Sequence, residues 1–188
     1  MSSVLVNGRP AESTPSAAVA ILHAAAPEPS VLLMRRARRK GDPWSGHWSF
    51  PGGRSDQSDA DLLHTALREL REECGIELDR HHLTERLADD WAGRVIGSSV
   101  MVATFVFKIP DQATPTLDRR EAAEAVWMPM TTLLDLSRHQ VREIPGVPPE
   151  RKFPAFELLG TPVWGFTYRV LCQWAGVPVA PEGLISFK

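Results

Sequence analysis

The sequence predicts an α/β fold in which helices pack on a mixed central sheet. Residues 17–26 and 100–109 are apolar runs with the length and side-chain composition of buried strands. Residues 59–74 instead repeat apolar side chains with the period of an amphipathic helix. Strands and helices alternate irregularly along the chain, an order typical of helices packed on a sheet with both parallel and antiparallel neighbours.

Composition and charge are those of an ordinary globular protein. The 188 residues are the size of one domain and can bury a core without a disulfide or a structural metal. The net charge of −2 argues against a polybasic membrane binder or a dedicated nucleic-acid-binding protein. Two isolated cysteines, Cys74 and Cys172, match neither a metal-ligand spacing nor a secreted disulfide framework. We therefore expect a cytoplasmic protein.

The sequence predicts a single domain over residues 17–188. Residues 1–16 are polar and rich in Ser, Pro and Ala, which predicts a mobile N-terminal arm. The apolar run that follows is too short to cross a membrane, and no basic segment precedes it as in a signal peptide.

Shorter patterns predict four more elements: strands over residues 31–34 and 122–128, and helices over residues 131–136 and 163–175. The first of these strands should form a hairpin with the strand before it, because prolines separate the two. In the last helix, Thr161 is the expected cap, Pro162 the first position and Gly176 the residue after the end.

The helix predicted over residues 59–74 has recognisable ends and one apolar face. Ser58 followed by Asp61 fits a capping box at its start, and Gly75 suits the left-handed residue that follows a helix. At about 100° per residue, four apolar side chains fall on one stripe that should face the core: Leu63, Leu67, Leu70 and Cys74.

Three glutamates, Glu69, Glu72 and Glu73, cluster away from that stripe, where we expect them to line an open cleft. They stand at i, i+3 and i+4, so their carboxylates are neighbours and repel one another unless a cation lies among them. Arg68 reaches Glu72 but cannot neutralise all three. Such oxygen ligands suit Mg²⁺ completed by water and substrate phosphates, whereas the charge pattern alone also fits a solvated acidic face.

The residues from Arg68 to Ile76 match the pattern R-E-U-x-E-E-x-G-U, in which U is a bulky apolar residue. This pattern resembles the core of the Nudix box, and the Gly52-Gly53 pair stands upstream where that family has its loop. Asp59 lies near the upstream acidic position of the box, in a register shifted by one residue and with Asp in place of Glu. By this resemblance the chain is identified as a member of the Nudix hydrolases.

The resemblance implies an α/β/α sandwich with a mixed central sheet and the box as a loop–helix–loop. It also implies a Mg²⁺- or Mn²⁺-dependent pyrophosphohydrolase that cleaves the diphosphate of a nucleoside-diphosphate-linked compound. Glu69, Glu72 and Glu73 would share metal ligation and catalytic base work, with Arg68 orienting a glutamate. The carbonyl of Gly53 would be a further metal ligand, since glycine lets the backbone approach an ion closely.

Segments outside the box resemble the branch of this family that cleaves coenzyme A. They are Leu32-Leu33, Arg36-Ala37, Gly46 and Phe50-Pro51-Gly52-Gly53 before the box, and Trp164-Gly165-Phe166-Thr167 near the end of the chain. Met34 stands where that branch has Thr, and the stretch between Arg36 and Gly46 is one residue longer than its pattern. The likeness implies coenzyme A or a derivative as substrate, cut to 3′,5′-ADP and phosphopantetheine.

Two features before the box are candidate substrate contacts. The basic run over residues 35–40 includes Arg36 and Arg39, whose guanidinium groups suit phosphate oxygens such as the 3′-phosphate of coenzyme A. The same run also fits a charged strand end that keeps a sheet edge soluble. Trp48, and Trp44 before it, could stack on an adenine or close the loop on the core.

Other functions stay open at this point. The same fold could hydrolyse ADP-ribose, dinucleoside polyphosphates or (deoxy)nucleoside triphosphates. A Nudix-fold isopentenyl diphosphate isomerase would need a catalytic cysteine in a context that the sequence does not offer. A non-catalytic binding module would usually have lost box carboxylates that this chain retains. The expected partner is a small-molecule nucleotide, and a homodimer is compatible with the sequence.

Overall fold

The two long apolar strands predicted from the sequence form the centre of the sheet. The computed structural model describes residues 14–42, 44–93 and 99–179, so most of the arm predicted over residues 1–16 lies outside the described residues. In chain order the strands are β1 (Ala17–Ala26), β2 (Ser30–Arg36), β3 (Trp48–Ser49), β4 (Gly52–Arg54), β5 (Leu83–Arg86), β6 (Asp90–Ala92), β7 (Val100–Asp111), β8 (Ala122–Pro129), β9 (Gln140–Glu143), β10 (Lys152–Leu158) and β11 (Thr161–Trp164). The helices are α1 (Leu62–Cys74), α2 (Met130–Leu134) and α3 (Gly165–Ala175), with 3-10 turns over Arg80–His82 and Leu136–Arg138.

The main sheet is mixed, as predicted. Strands β1 and β7 run parallel, whereas the hairpin of β1 and β2 and the pairing of β2 with β8 are antiparallel. Strands β5 and β6 pair with β7 at different points along its length. Strands β9, β10 and β11 form a separate antiparallel sheet.

Strands β1 and β2 pair only near their hairpin and then separate, which makes room for the segment that carries the site. Their registered pairs are His23 with Val31 and Ala24 with Ser30. Beyond that point β3 pairs with β2, and β4 pairs with β1 over Ala17–Val19. The Gly52-Gly53 pair therefore lies inside the main sheet.

Helices α1 and α3 cover opposite faces of this sheet, and the side chains of β1 alternate between the two faces. Ala18, Ala20 and Leu22 pack in the cluster that contains Leu63 and Leu70 of α1. The opposite cluster joins Ile21 of β1 to side chains of α3, among them Tyr168, Leu171 and Cys172. This arrangement confirms the α/β/α sandwich. No helix in the described ranges has both the length and the apolar character needed to cross a membrane.

The start of α1 differs from the predicted capping box. The helix begins at Leu62, and Asp61 is its N-cap: one carboxylate oxygen of Asp61 accepts the backbone N–H of His64 at 2.8 Å. Ser58 instead donates its hydroxyl to Asp56 within the preceding loop. Asp61 fills the role because carboxylates accept the free N–H groups of a first turn directly. Gly75 follows the helix in the left-handed conformation, as predicted.

The last helix is shorter than predicted. Thr161–Trp164 form β11, which pairs with β10, and α3 begins only at Gly165. The cap proposed at Thr161 is therefore wrong, because a neighbouring strand supplies hydrogen-bond partners that the local sequence does not reveal. The predicted end at Gly176 is correct.

Candidate functional site

Two glutamates of α1 contact the Gly52-Gly53 strand. The backbone N–H of Gly52 donates to Oε2 of Glu73 at 2.8 Å. A side chain on Gly53 would collide with the carboxylate of Glu69, and one on Gly52 would collide with the backbone of β1. Both glycines therefore serve close approach: one lets the strand enter the sheet, and the other makes room for a carboxylate.

Glu73 is buried rather than placed in an open cleft. It is only 3% exposed, and burial raises its pKa to about 8, with the charge of Glu69 adding to the effect. Burial also raises the pKa of Glu69. Glu72 alone of the three has a half-exposed side chain. Helical periodicity correctly predicts that the three glutamates share one face of the helix. It does not predict the burial of Glu73, because the strand that covers Glu73 lies outside the helix.

Arg68 connects the acidic side chains of the site. Its Nε and Nη2 donate to the two carboxylate oxygens of Asp59, each at 2.9 Å, and Nη1 donates to Glu69 at 2.8 Å and to Glu72 at 3.0 Å. Arg68 also donates to the carbonyl of Arg54. This network fixes α1 against the loop that leads into it.

Asp59 belongs to the site, although its position in the sequence did not define a role for it. Its carboxylate is 1% exposed, and the hydrogen bonds from Arg68 hold the pKa of Asp59 well below its usual range. The signal was its spacing from Gly53, which placed it at the shifted acidic position of the box. The one-residue shift does not prevent Asp59 from pairing with Arg68.

The carboxylates fit a divalent cation by chemistry and by position. In the ranges that the structure describes, no three acidic, histidine or cysteine side chains converge into a ready-made ligand cluster. Arg68 instead draws Glu69 and Glu72 together. Yet Glu69 fills the space over Gly53 that a Cβ would take, and Glu73 reaches Gly52 beside it. Carboxylate and backbone carbonyl oxygens are the ligands that Mg²⁺ takes, with water completing its shell.

Next to this glycine strand lies a cavity of about 330 Å³, here called the aromatic cavity. Its floor includes Ala17, Val19 and Val102 of the sheet. Around it stand the aromatic side chains Trp44, Trp91, Trp164 and Phe166, the arginines Arg36, Arg54 and Arg169, and the glycines Gly52 and Gly53. Its volume falls at the small end of ligand pockets.

The predicted substrate contacts divide between two places. Arg36 lines the aromatic cavity and pairs with Asp42 at 3.0 Å. Arg39 lines a separate basic cavity with Arg35, Arg38 and Lys40, and it pairs with Glu121 at 2.8 Å. The two arginines therefore do not face one common cavity.

Trp48 borders the aromatic cavity but is not a stacking surface. It is 3% exposed, and its indole N–H donates to the carbonyl of Leu158 at 3.0 Å. It thus follows the second of the two sequence interpretations, in which the loop closes on the core. Trp44, Trp91 and Trp164 provide the aromatic walls instead.

A NUDIX domain family model matches residues 13–148. The chain therefore belongs to the NUDIX domain family. The match confirms the predicted family, and together with the architecture described above it confirms the predicted fold.

Curated relatives agree with this assignment. A protein of Yersinia enterocolitica named "Uncharacterized Nudix hydrolase NudL" is 35% identical over 123 residues, which cover 65% of this chain and 60% of that protein. The mouse mitochondrial coenzyme A diphosphatase NUDT8 is 44% identical over 55 residues, 29% of this chain and 26% of that enzyme. The chain spans less than two thirds of the length of these relatives.

Among solved structures, a NUDIX hydrolase from Alicyclobacillus acidocaldarius has a similar fold. The TM-score is 0.55 at 21% sequence identity, covering 66% of this chain and 83% of that one. This likeness bears on the fold alone.

We expect Gly53→Ala to disturb the site without destabilising the fold. The added methyl group would displace the Glu69 carboxylate, a flexible side-chain end, so the melting temperature should change little. Hydrolytic activity should fall about a hundredfold, because misplacing a catalytic group by about 1 Å can cost that much. Circular dichroism and steady-state kinetics on the same preparation test this. Activity within a factor of two of the parent would show that Glu69 need not contact Gly53.

Proposed function

We propose that the protein is a divalent-cation-dependent diphosphatase that hydrolyses nucleoside-diphosphate-linked compounds. The observation that carries the proposal is the meeting of Glu69 and Glu73 with the Gly52-Gly53 strand, beside a cavity with aromatic walls. Mg²⁺ is the expected ion and Mn²⁺ the alternative, with Glu69, Glu72, Glu73 and the Gly53 carbonyl as ligands.

When bound, such an ion supplies positive charge to the phosphate oxygens and acidifies a water for attack on phosphorus. The chain's own residues do the rest. Glu69, Glu72 and Glu73 share ligation and acceptance of the proton of the attacking water. The Gly52 N–H fixes Oε2 of Glu73, so the orientation of this carboxylate is set before the substrate arrives.

Arg68 acts in this scheme by positioning. Its guanidinium holds Glu69 and Glu72 at fixed angles, and Asp59 in turn holds the guanidinium. Because Asp59 is buried and ionised, Arg68 keeps one fixed partner when a cation competes for the two glutamates. The arrangement thus allows the glutamates to turn toward an ion without loss of the helix–loop contact.

Within this class, coenzyme A or a derivative is the proposed substrate. Support comes from the segments around Leu32 to Gly53 and Trp164 to Thr167, and from the partial similarity to a coenzyme A diphosphatase. Hydrolysis of the diphosphate would give 3′,5′-ADP and phosphopantetheine. ADP-ribose, dinucleoside polyphosphates and nucleoside triphosphates are the alternative substrates.

The proposed location of the protein is the cytoplasm. The buried thiols of Cys74 and Cys172 suit this reducing compartment.

Glu72→Gln and Glu73→Gln should each lower turnover about a thousandfold or more, a barrier increase of about 4 kcal/mol. Glutamine keeps the shape of the side chain and can still accept the Gly52 N–H, so the fold should be retained. The assay is Mg²⁺-dependent hydrolysis of a substrate panel with identification of the products. Glu77→Gln, at an exposed position just after the helix, is the matched control. Near-normal activity of Glu73→Gln in Mg²⁺ would refute the proposed mechanism.

Comparison of coenzyme A with dephospho-coenzyme A tests whether the basic run holds a phosphate. Each lost charge-assisted hydrogen bond should cost about 1.5–3 kcal/mol, or roughly ten- to a hundredfold in kcat/KM. Because Arg36 and Arg39 line different cavities, one of the variants Arg36→Gln and Arg39→Gln should narrow the difference in kcat/KM between the two substrates. Arg142→Gln, whose side chain pairs with Glu157 elsewhere, should leave this difference unchanged. Equal cleavage of both compounds would exclude a contact between the basic run and the 3′-phosphate, but it would not contradict the proposed enzyme class. Cleavage of ADP-ribose or a nucleoside triphosphate alone would favour the alternative substrates.

A further inference from the structure

A pair of residues far apart in sequence forms one wall of the aromatic cavity. Trp91 lies on the three-residue strand β6, and Arg169 lies on α3. Arg169 donates to one carboxylate oxygen of Asp90, from Nη2 at 2.7 Å and from Nε at 3.2 Å. Its Nη2 also donates to the carbonyl of Trp91 at 2.8 Å. The helix is thereby connected to the strand on both sides of the Asp90–Trp91 peptide.

This connection matters because β6 is only three residues long. The strand pairs with β7 through three residues, and in the part of the chain that the structure describes it pairs with no second strand. A short edge strand frays readily when few backbone bonds hold it. Arg169 adds three hydrogen bonds to this strand from a helix that is anchored in the core. It therefore fixes the backbone of Trp91, from which the indole reaches the wall of the cavity.

The chemistry of the cavity indicates the kind of group that Trp91 would meet. Flat aromatic side chains line it on several sides over an apolar floor, and this surface suits a planar ring. Its lining residues include three arginines, Arg36, Arg54 and Arg169, and the lining described here contains no carboxylate. Two of these arginines are ion-paired, Arg36 with Asp42 and Arg169 with Asp90. The aromatic and apolar lining therefore indicates a planar ring, such as a nucleotide base, as the group that the cavity binds.

We propose that Trp91 is the surface on which the base of the nucleotide substrate stacks, and that Arg169 is its positioning residue. The inference rests on the proposed function for the orientation of the ligand. With the base on Trp91, the attached phosphates extend toward Gly52 and Gly53, which line the same cavity. Base stacking on an aromatic side chain tolerates different bases, so this contact would select nucleotides as a class.

The test measures binding separately from catalysis. ADP and ribose 5-phosphate, which lacks the base, are titrated in EDTA by calorimetry into the full chain and its variants. Trp91→Leu should weaken ADP about tenfold or more and leave ribose 5-phosphate within twofold, whereas Trp91→Phe should keep most of the ADP affinity. Trp174→Leu is the matched control, because that tryptophan packs on His23 away from the cavity. In kinetics, Trp91→Leu should raise KM with kcat nearly unchanged.

Arg169→Gln distinguishes positioning from direct contact. If Arg169 acts by holding Trp91, the variant weakens ADP but not ribose 5-phosphate, and Trp91→Leu adds little in the double variant. Equal weakening of both ligands would show that Arg169 binds phosphate, which overturns its positioning role. Should Trp91→Leu fail to fold, Arg169→Gln alone tests the contact: weaker binding of ADP but not of ribose 5-phosphate supports it, and unchanged binding of both ligands overturns it.

The outcomes separate this inference from the proposed function. ADP affinity unchanged by Trp91→Leu, in an enzyme that still hydrolyses its substrate, would overturn the stacking role alone. Trp91-dependent ADP binding in a protein that hydrolyses no compound of the panel would support the stacking role and overturn the diphosphatase proposal.

Discussion

The site depends on one constraint: two carboxylates of α1 must reach a strand that has entered the sheet between β1 and β2. Glu73 meets the Gly52 N–H, and Glu69 fills the space over Gly53. Only glycine allows both contacts, since a Cβ at either position would strike backbone or carboxylate. Burial of negative charge here is unfavourable by itself, as the raised pKa of Glu73 shows. A bound cation would offset this cost. The same buried carboxylates that destabilise the empty site would therefore bind the ion that the proposed reaction needs.

The rest of the architecture supports this contact. Separation of β1 from β2 admits the glycine strand, and Asp59 with Arg68 holds the start of α1 against it. The same glycines border the aromatic cavity, whose walls come from β6, α3 and the loop before β3. One backbone segment thus separates the carboxylates that would bind metal from the cavity that would bind a base. Under the proposed function, the diphosphate of the substrate would lie at this segment, between the metal site and the base.

Much of this could be predicted because the signals are local. The bounds of β1, the left-handed Gly75 and the spacing of the three glutamates follow from residue type and helical period. Features that need a distant partner could not be predicted. Glu73 is buried by a strand 21 residues earlier in the chain. Strand β11 exists because β10 pairs with it, and Arg169 meets Trp91 only in the folded chain. The burial of Trp48 also depends on a distant partner, since its indole N–H donates a hydrogen bond to the carbonyl of Leu158.

The position of a bound ion tests whether the three glutamates and Gly53 form a metal site. Crystals soaked in Mn²⁺ and measured at the manganese absorption edge should show an anomalous peak among Glu69, Glu72, Glu73 and the carbonyl of Gly53. At least two of these oxygens should lie within about 2.5 Å of it, as hard-cation ligation requires. The peak should be absent from Glu73→Gln crystals treated in the same way. A strong peak elsewhere, or the same peak in Glu73→Gln, would contradict the account.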